Sequence, residues 1–76
     1  MKGGEILNDN EIEITTYDRL LRAWENSMEL VRFYEMHSKR IDENEQEVIG
    51  VFKEFAEDEG LHASRLRDII QSYKKQ

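Results

Sequence analysis

A glutamate and a histidine three residues apart, Glu59 and His62, are the residues of this sequence best placed to do chemistry. Side chains at i and i+3 leave one face of a helix together and can ligate a single metal ion or a metal pair. At about 100° per residue, with Val48 at zero, Phe52 and Ile70 fall at about 40°, Leu66 at about 0°, and Phe55 and Tyr73 at about 340°. That face is expected to be buried. On the same wheel Glu59 falls at about 20° and His62 at about 320°, in the middle of the apolar stripe. A carboxylate is costly to bury without a partner, so the stripe needs a reason to hold this pair. A cation is the most economical one. A plainer reading keeps Glu59 and His62 as polar groups hydrogen-bonded across a dimer, or sends Glu59 to Arg65 of a neighbour. Glu-x-x-His is common on helices, and its position on the stripe is what distinguishes this instance.

Two long helices must position the pair. Thr15 with Asp18 three residues later is a variant of the capping box that opens a helix. Tyr17, Leu20, Leu21, Trp24, Met28, Val31 and Tyr34 then recur at the three-and-four spacing of an amphipathic helix, predicted over about 16–40. Asp42 with Glu45 gives a second capping signature, and the second helix is predicted over about 43–74. The acidic run at 43–47 suits the start of that helix, and Lys74 and Lys75 suit its end. Residues 1–14, with two glycines and the Asn8-Asp9-Asn10 run, read as a flexible arm that docks Ile12 or Ile14 onto a neighbour at most.

A proline-free chain with so short a connection folds back as an antiparallel hairpin, one domain over 15–76. The first helix is apolar over more than one stripe, because Leu30, Phe33, Tyr34 and Ile41 widen its arc. A second copy covers that arc most simply, giving a four-helix bundle by two-fold association. The expected state is therefore a homo-oligomer, at least a dimer.

Composition narrows the function classes. Ile, Leu, Val and Phe make up 19 of the 76 residues, enough for a small core. The net charge of -6, with no basic run beyond Lys74-Lys75, argues against nucleic acid and anionic membranes as partners. Without cysteine there are no disulfides, thiolate zinc sites, iron-sulfur clusters or cysteine nucleophiles. No apolar run approaches a membrane span or a secretion signal, so a soluble cytoplasmic protein is expected.

Ala23, Phe33-Tyr34, Glu47-Val48, Phe52, Ala56 and the run Glu57-Asp58-Glu59-Gly60-Leu61-His62 followed by Leu66 resemble one hairpin of the ferritin-like, rubrerythrin-type di-iron carboxylate proteins. The resemblance implies a bundle of two hairpins with iron at its centre, and iron oxidation or peroxide reduction as the activity. It implies one Glu from each first helix and a Glu-x-x-His from each second helix as ligands. A half-length chain builds such a site by association, as the encapsulated ferritins do. Their C-terminal targeting tail has no counterpart in Lys74-Lys75-Gln76, so loading into an encapsulin shell is not expected.

One departure from the family pattern matters. The first-helix ligand stands seven residues before the tyrosine, and seven before Tyr34 is Ser27. A reversal near 42 or 43 likewise sets Glu59 opposite a position near 26 and His62 opposite Trp24. With Tyr17 at zero, Glu25 and Glu29 fall at about 80° and 120°, away from an apolar arc centred at about 300°. They read as a solvated face. Glu35 faces inward on that wheel but lies too near the loop to meet Glu59. A dimer therefore offers two Glu59 and two His62, enough for one iron, zinc or manganese ion or a labile pair completed by water. Metal binding is expected ahead of catalysis. The competing expectation is a non-catalytic helical assembly module in which such a site has decayed.

Trp24 and Tyr34 read as core aromatics and His37 as surface. Gly60 reads as a place where a neighbouring group approaches the helix closely.

Overall fold

The computed structural model describes residues 14–74, which form two α-helices and no strand: α1, Thr16–Ser38, and α2, Gln46–Lys74. The helices pack along their lengths as a hairpin. The predicted arm at 1–14 lies, apart from the exposed Ile14, outside the described residues.

α1 opens on a reciprocal capping box. Thr15 is extended (φ -83°, ψ 168°), and its hydroxyl accepts from the Asp18 backbone N–H at 3.1 Å. Asp18 Oδ2 in turn accepts from the Thr15 N–H at 3.2 Å and from its hydroxyl at 3.0 Å. These two bonds, the backbone one first, hold the Asp18 carboxyl below its usual range, because both favour the ionised form. The other end of α1 tightens. The N–H groups of Lys39 and Arg40 donate three residues back, to Met36 and His37, so regular helix stops at Ser38 rather than near 40.

α2 begins at Gln46, later than the predicted start at 43. The reason is local. Asp42 does not cap the helix: its Oδ1 accepts from the Asn44 N–H at 2.9 Å and its carbonyl from the Glu45 N–H at 2.8 Å. This side-chain turn competes with helix and ends before Glu45, whose carbonyl accepts from Ile49 N–H at 3.0 Å.

The seam between the helices follows a three-and-four alternation on both sides. On α1 it holds Tyr17, Leu20, Trp24, Ser27, Val31, Tyr34 and Ser38; on α2 it holds Phe52, Ala56, Glu59, Ala63, Leu66 and Ile70. Among the described residues only Ala56, Ala63, Ile70, Ser27 and Ser38 are buried, and none of their side chains is completely enclosed. Small residues dominate the innermost layer and let the backbones approach. Large residues flank it. Tyr17 meets Tyr73 at one end, with ring centroids 6.2 Å apart. Near the loop Tyr34 lies edge-on to both Phe52 at 5.7 Å and Phe55 at 5.5 Å.

The face predicted to be buried on α2 needs correction. Val48, Phe55 and Tyr73 are exposed, at 41%, 43% and 39%, while Ile70 is buried and Phe52 and Leu66 are half-buried. Large apolar side chains pulled the predicted face toward themselves. The hairpin instead turns its alanines inward, rotating the seam to one side of the large residues.

Candidate functional site

Glu59 and His62 sit close to the middle of α2, one turn apart. His62 Nδ1 lies 3.4 Å from Glu59 Oε1. Their environments differ sharply: the Glu59 side chain keeps 21% of its surface exposed, that of His62 64%. The expectation that both lie within a buried stripe holds for neither completely. On the wheel, Ala56, Ala63 and Ile70 fall on one side of Glu59; Val48, Val51, Phe55, His62, Ile69 and Tyr73 fall on the other, within an arc of about 60°. Glu59 therefore stands on the boundary between the seam and an open apolar strip. His62 stands in the strip itself.

The pair has the chemistry of a metal half-site. A carboxylate beside Nδ1 leaves Nε2 as the outward nitrogen, the side from which a histidine could reach a cation. Glu59 keeps a second carboxylate oxygen for a cation. Two donors do not complete a coordination shell. Among the described residues of one chain, no three His, Asp or Glu side chains come together to hold a metal ion. One hairpin thus offers two of the donors a bound ion would take, and water or a second molecule would supply the rest.

Ser27, where the resemblance puts a carboxylate, is buried in the seam. Glu25 and Glu29 are exposed. Glu35, predicted to face inward, is also exposed and lines a groove of about 550 Å³ with Val31, Lys39, Lys53, Ala56 and Glu57. That groove lies across the seam from the strip, so Glu35 cannot turn toward His62. Gly60 borders both Val31 in this groove and Met28 in its neighbour, which places Glu59 opposite the Met28–Val31 turn rather than opposite 26. The Asp42 turn displaces the reversal toward α2 and carries the pairing with it.

A Cβ on Gly60 would meet no atom within 4 Å, so close approach within the chain does not explain this glycine. Trp24 and Tyr34 are half-buried, as core aromatics should be. His37 is not plain surface: it is half-buried, with its ring 4.3 Å from that of Phe33. Phe33 also meets Tyr34 edge-on at 5.6 Å, which joins the exposed ring of α1 to the Tyr34–Phe55 contact.

No helix among the described residues is long and apolar enough to cross a membrane. No protein-family model, curated protein or solved structure matches this chain.

Proposed function

We propose that this chain is a ferritin-like metal-binding protein whose site forms between hairpins when two copies associate into a four-helix bundle. The observation that carries this reading is the position of Glu59 and His62. A carboxylate oriented against an imidazole borders an open apolar strip on a hairpin that completes neither its core nor a coordination shell by itself. Two copies bring four nitrogen and oxygen donors, the set suited to a borderline divalent ion. Iron is the metal the resemblance implies, and zinc and manganese accept the same donors. Bound iron supplies one-electron chemistry toward oxygen or peroxide. Glu59 and His62 would hold the ion, and Phe55 and Ile69 of the strip would border it once two copies meet.

A second reading, a helical assembly module with a degenerate site, is favoured by one observation: buried Ser27 occupies the place of the first-helix carboxylate. Thermal melts with and without Fe(II), Zn(II) or Mn(II) separate the two. Metal raises the melting temperature of the parent and leaves His62→Ala unchanged if the site binds. If the parent does not respond to any of the three ions, the assembly module is the function.

A further inference from the structure

The open strip on α2 is symmetric about its own centre. Glu59 and His62, Phe55 and Leu66, and Val48 and Tyr73 are three pairs that share one midpoint, between Gly60 and Leu61. Val51 and Ile69 are centred half a residue away. Of these eight side chains, Val48, Val51, Phe55, Ile69 and Tyr73 are exposed apolar groups, and Leu66 is half-buried beside them. All but Leu66, which belongs to the seam, lie on the strip side of Glu59, which itself stands at the border. This midpoint lies half a residue from Gly60, the middle of Gln46–Lys74.

A two-fold axis turns a surface onto itself, so it needs a patch whose features repeat about a centre. This strip has that property along roughly 38 Å of helix at 1.5 Å per residue. We infer that α2 of one chain packs antiparallel against α2 of a second copy. In this register Val48 meets Tyr73 of the partner subunit, Val51 meets Ile69 of the partner subunit, and Glu59 meets His62 of the partner subunit. Charge sets a condition on a second copy. Each chain carries a net charge of -6, and two such molecules repel unless their contact is apolar or paired. Here the contact is apolar apart from Glu59 and His62 of each chain, with the exposed Asp58 at its edge, and the register places each Glu59 on the other chain's imidazole. The inference takes its face from the proposed metal site, but the apolar pattern carries it without any metal.

Cross-linking tests the register directly, since the chain has no cysteine of its own. Val51→Cys and Ile69→Cys chains, one of them carrying a mass tag, are mixed and oxidised, or bridged with a short bis-maleimide, in EDTA and again with Zn(II). The expected product is the mixed covalent dimer, with neither variant linking to itself, because like positions lie roughly 27 Å apart in this register. Val48→Cys with Tyr73→Cys repeats the test should either first variant misfold. Self-linking of Val51→Cys, or a dimer of parental mass that gives no mixed product from either pair, overturns the register; so does a parent chain that is monomeric in solution. A mixed dimer without any thermal response to metal keeps the register and removes the metal reading, and the reverse result removes the register alone.

Discussion

Nδ1 of His62 lies 3.4 Å from Oε1 of Glu59, at the edge where the seam shared by the two helices gives way to the apolar strip they leave open. The position sets what each group contributes. Glu59 is held by the hairpin's own packing, while His62 is free to reach outward. Removing either should abolish metal binding by a different route. His62→Ala deletes a donor; Glu59→Gln keeps the shape but loses the charge. A metal present at 100 times its Kd adds about 2.7 kcal/mol of stability. For a domain of this size that is roughly 10 to 20 °C in melting temperature. Parent protein should show a rise of this order with Fe(II), Zn(II) or Mn(II), and both variants should show almost none. A full response in Glu59→Gln would remove the carboxylate from the site.

The strip should govern association. Phe55 is 43% exposed in the single hairpin and flanks the seam at Tyr34, so replacing it costs the hairpin that edge contact but no buried side chain. Phe55→Asp places a carboxylate on the surface proposed to meet a second copy, where burial of an unpaired charge is prohibitive. Its mass by light scattering should fall to that of one chain at concentrations where the parent is associated, and its melting temperature should lose dependence on concentration. Unchanged mass would place the contact elsewhere.

The hairpin and its direction of reversal were legible in the sequence because they depend on periodicity and on the absence of proline, both of which act over many residues. The rotation of α2 was not. A wheel weighted by large side chains points to Val48, Phe55 and Tyr73, but closeness of approach is decided by the smallest residues, Ala56 and Ala63. A rotation of that kind is enough to move Glu59 from the middle of the buried face to its border and His62 out into the open. The start of α2 was misplaced for a different reason: Asp42 has the chemistry of a cap, and a turn two residues long takes the same hydrogen bond first. Glu59 and His62 were found by their spacing and their place on the apolar stripe, whereas the symmetry of the strip about them becomes meaningful only once the exposed side is known.

Close packing of the seam predicts intolerance to size in both directions. Ala63 retains 3% of its exposure, so Ala63→Leu must push the helices apart and should cost roughly 1–3 kcal/mol. Ile70, at 6%, is the largest buried apolar residue among those described, and Ile70→Ala should cost roughly 2–5 kcal/mol. Urea unfolding followed by circular dichroism measures both. If Ala63→Leu proves neutral, the helices are less closely apposed than the seam requires.

Gly60 gives a prediction of opposite sign. A helix-interior glycine costs about 1 kcal/mol relative to alanine, and a Cβ here meets open space. Gly60→Ala should therefore stabilise the hairpin by about that amount. It should leave association unchanged, because Gly60 borders the charged groove rather than the strip. Loss of association in this variant would mean that the groove, not the strip, meets the second copy.

The capping box at Thr15 supplies the pH dependence. Asp18 is held below the usual carboxylate range by the Thr15 N–H and hydroxyl, so its folded value lies under its unfolded one. A group shifted in this direction contributes stability that is fully present above its unfolded pKa and disappears as pH falls through its folded pKa. At neutral pH, Thr15→Ala should cost roughly 1 kcal/mol, the ordinary value of a lost N-cap. Asp18→Asn should be less stable than the parent at neutral pH, and the difference should shrink as the solution is acidified past the lowered Asp18 titration. Urea midpoints for parent and variant at several pH values from neutral to strongly acidic measure this. A gap that stays constant with pH would mean that the carboxylate's charge contributes nothing to the cap.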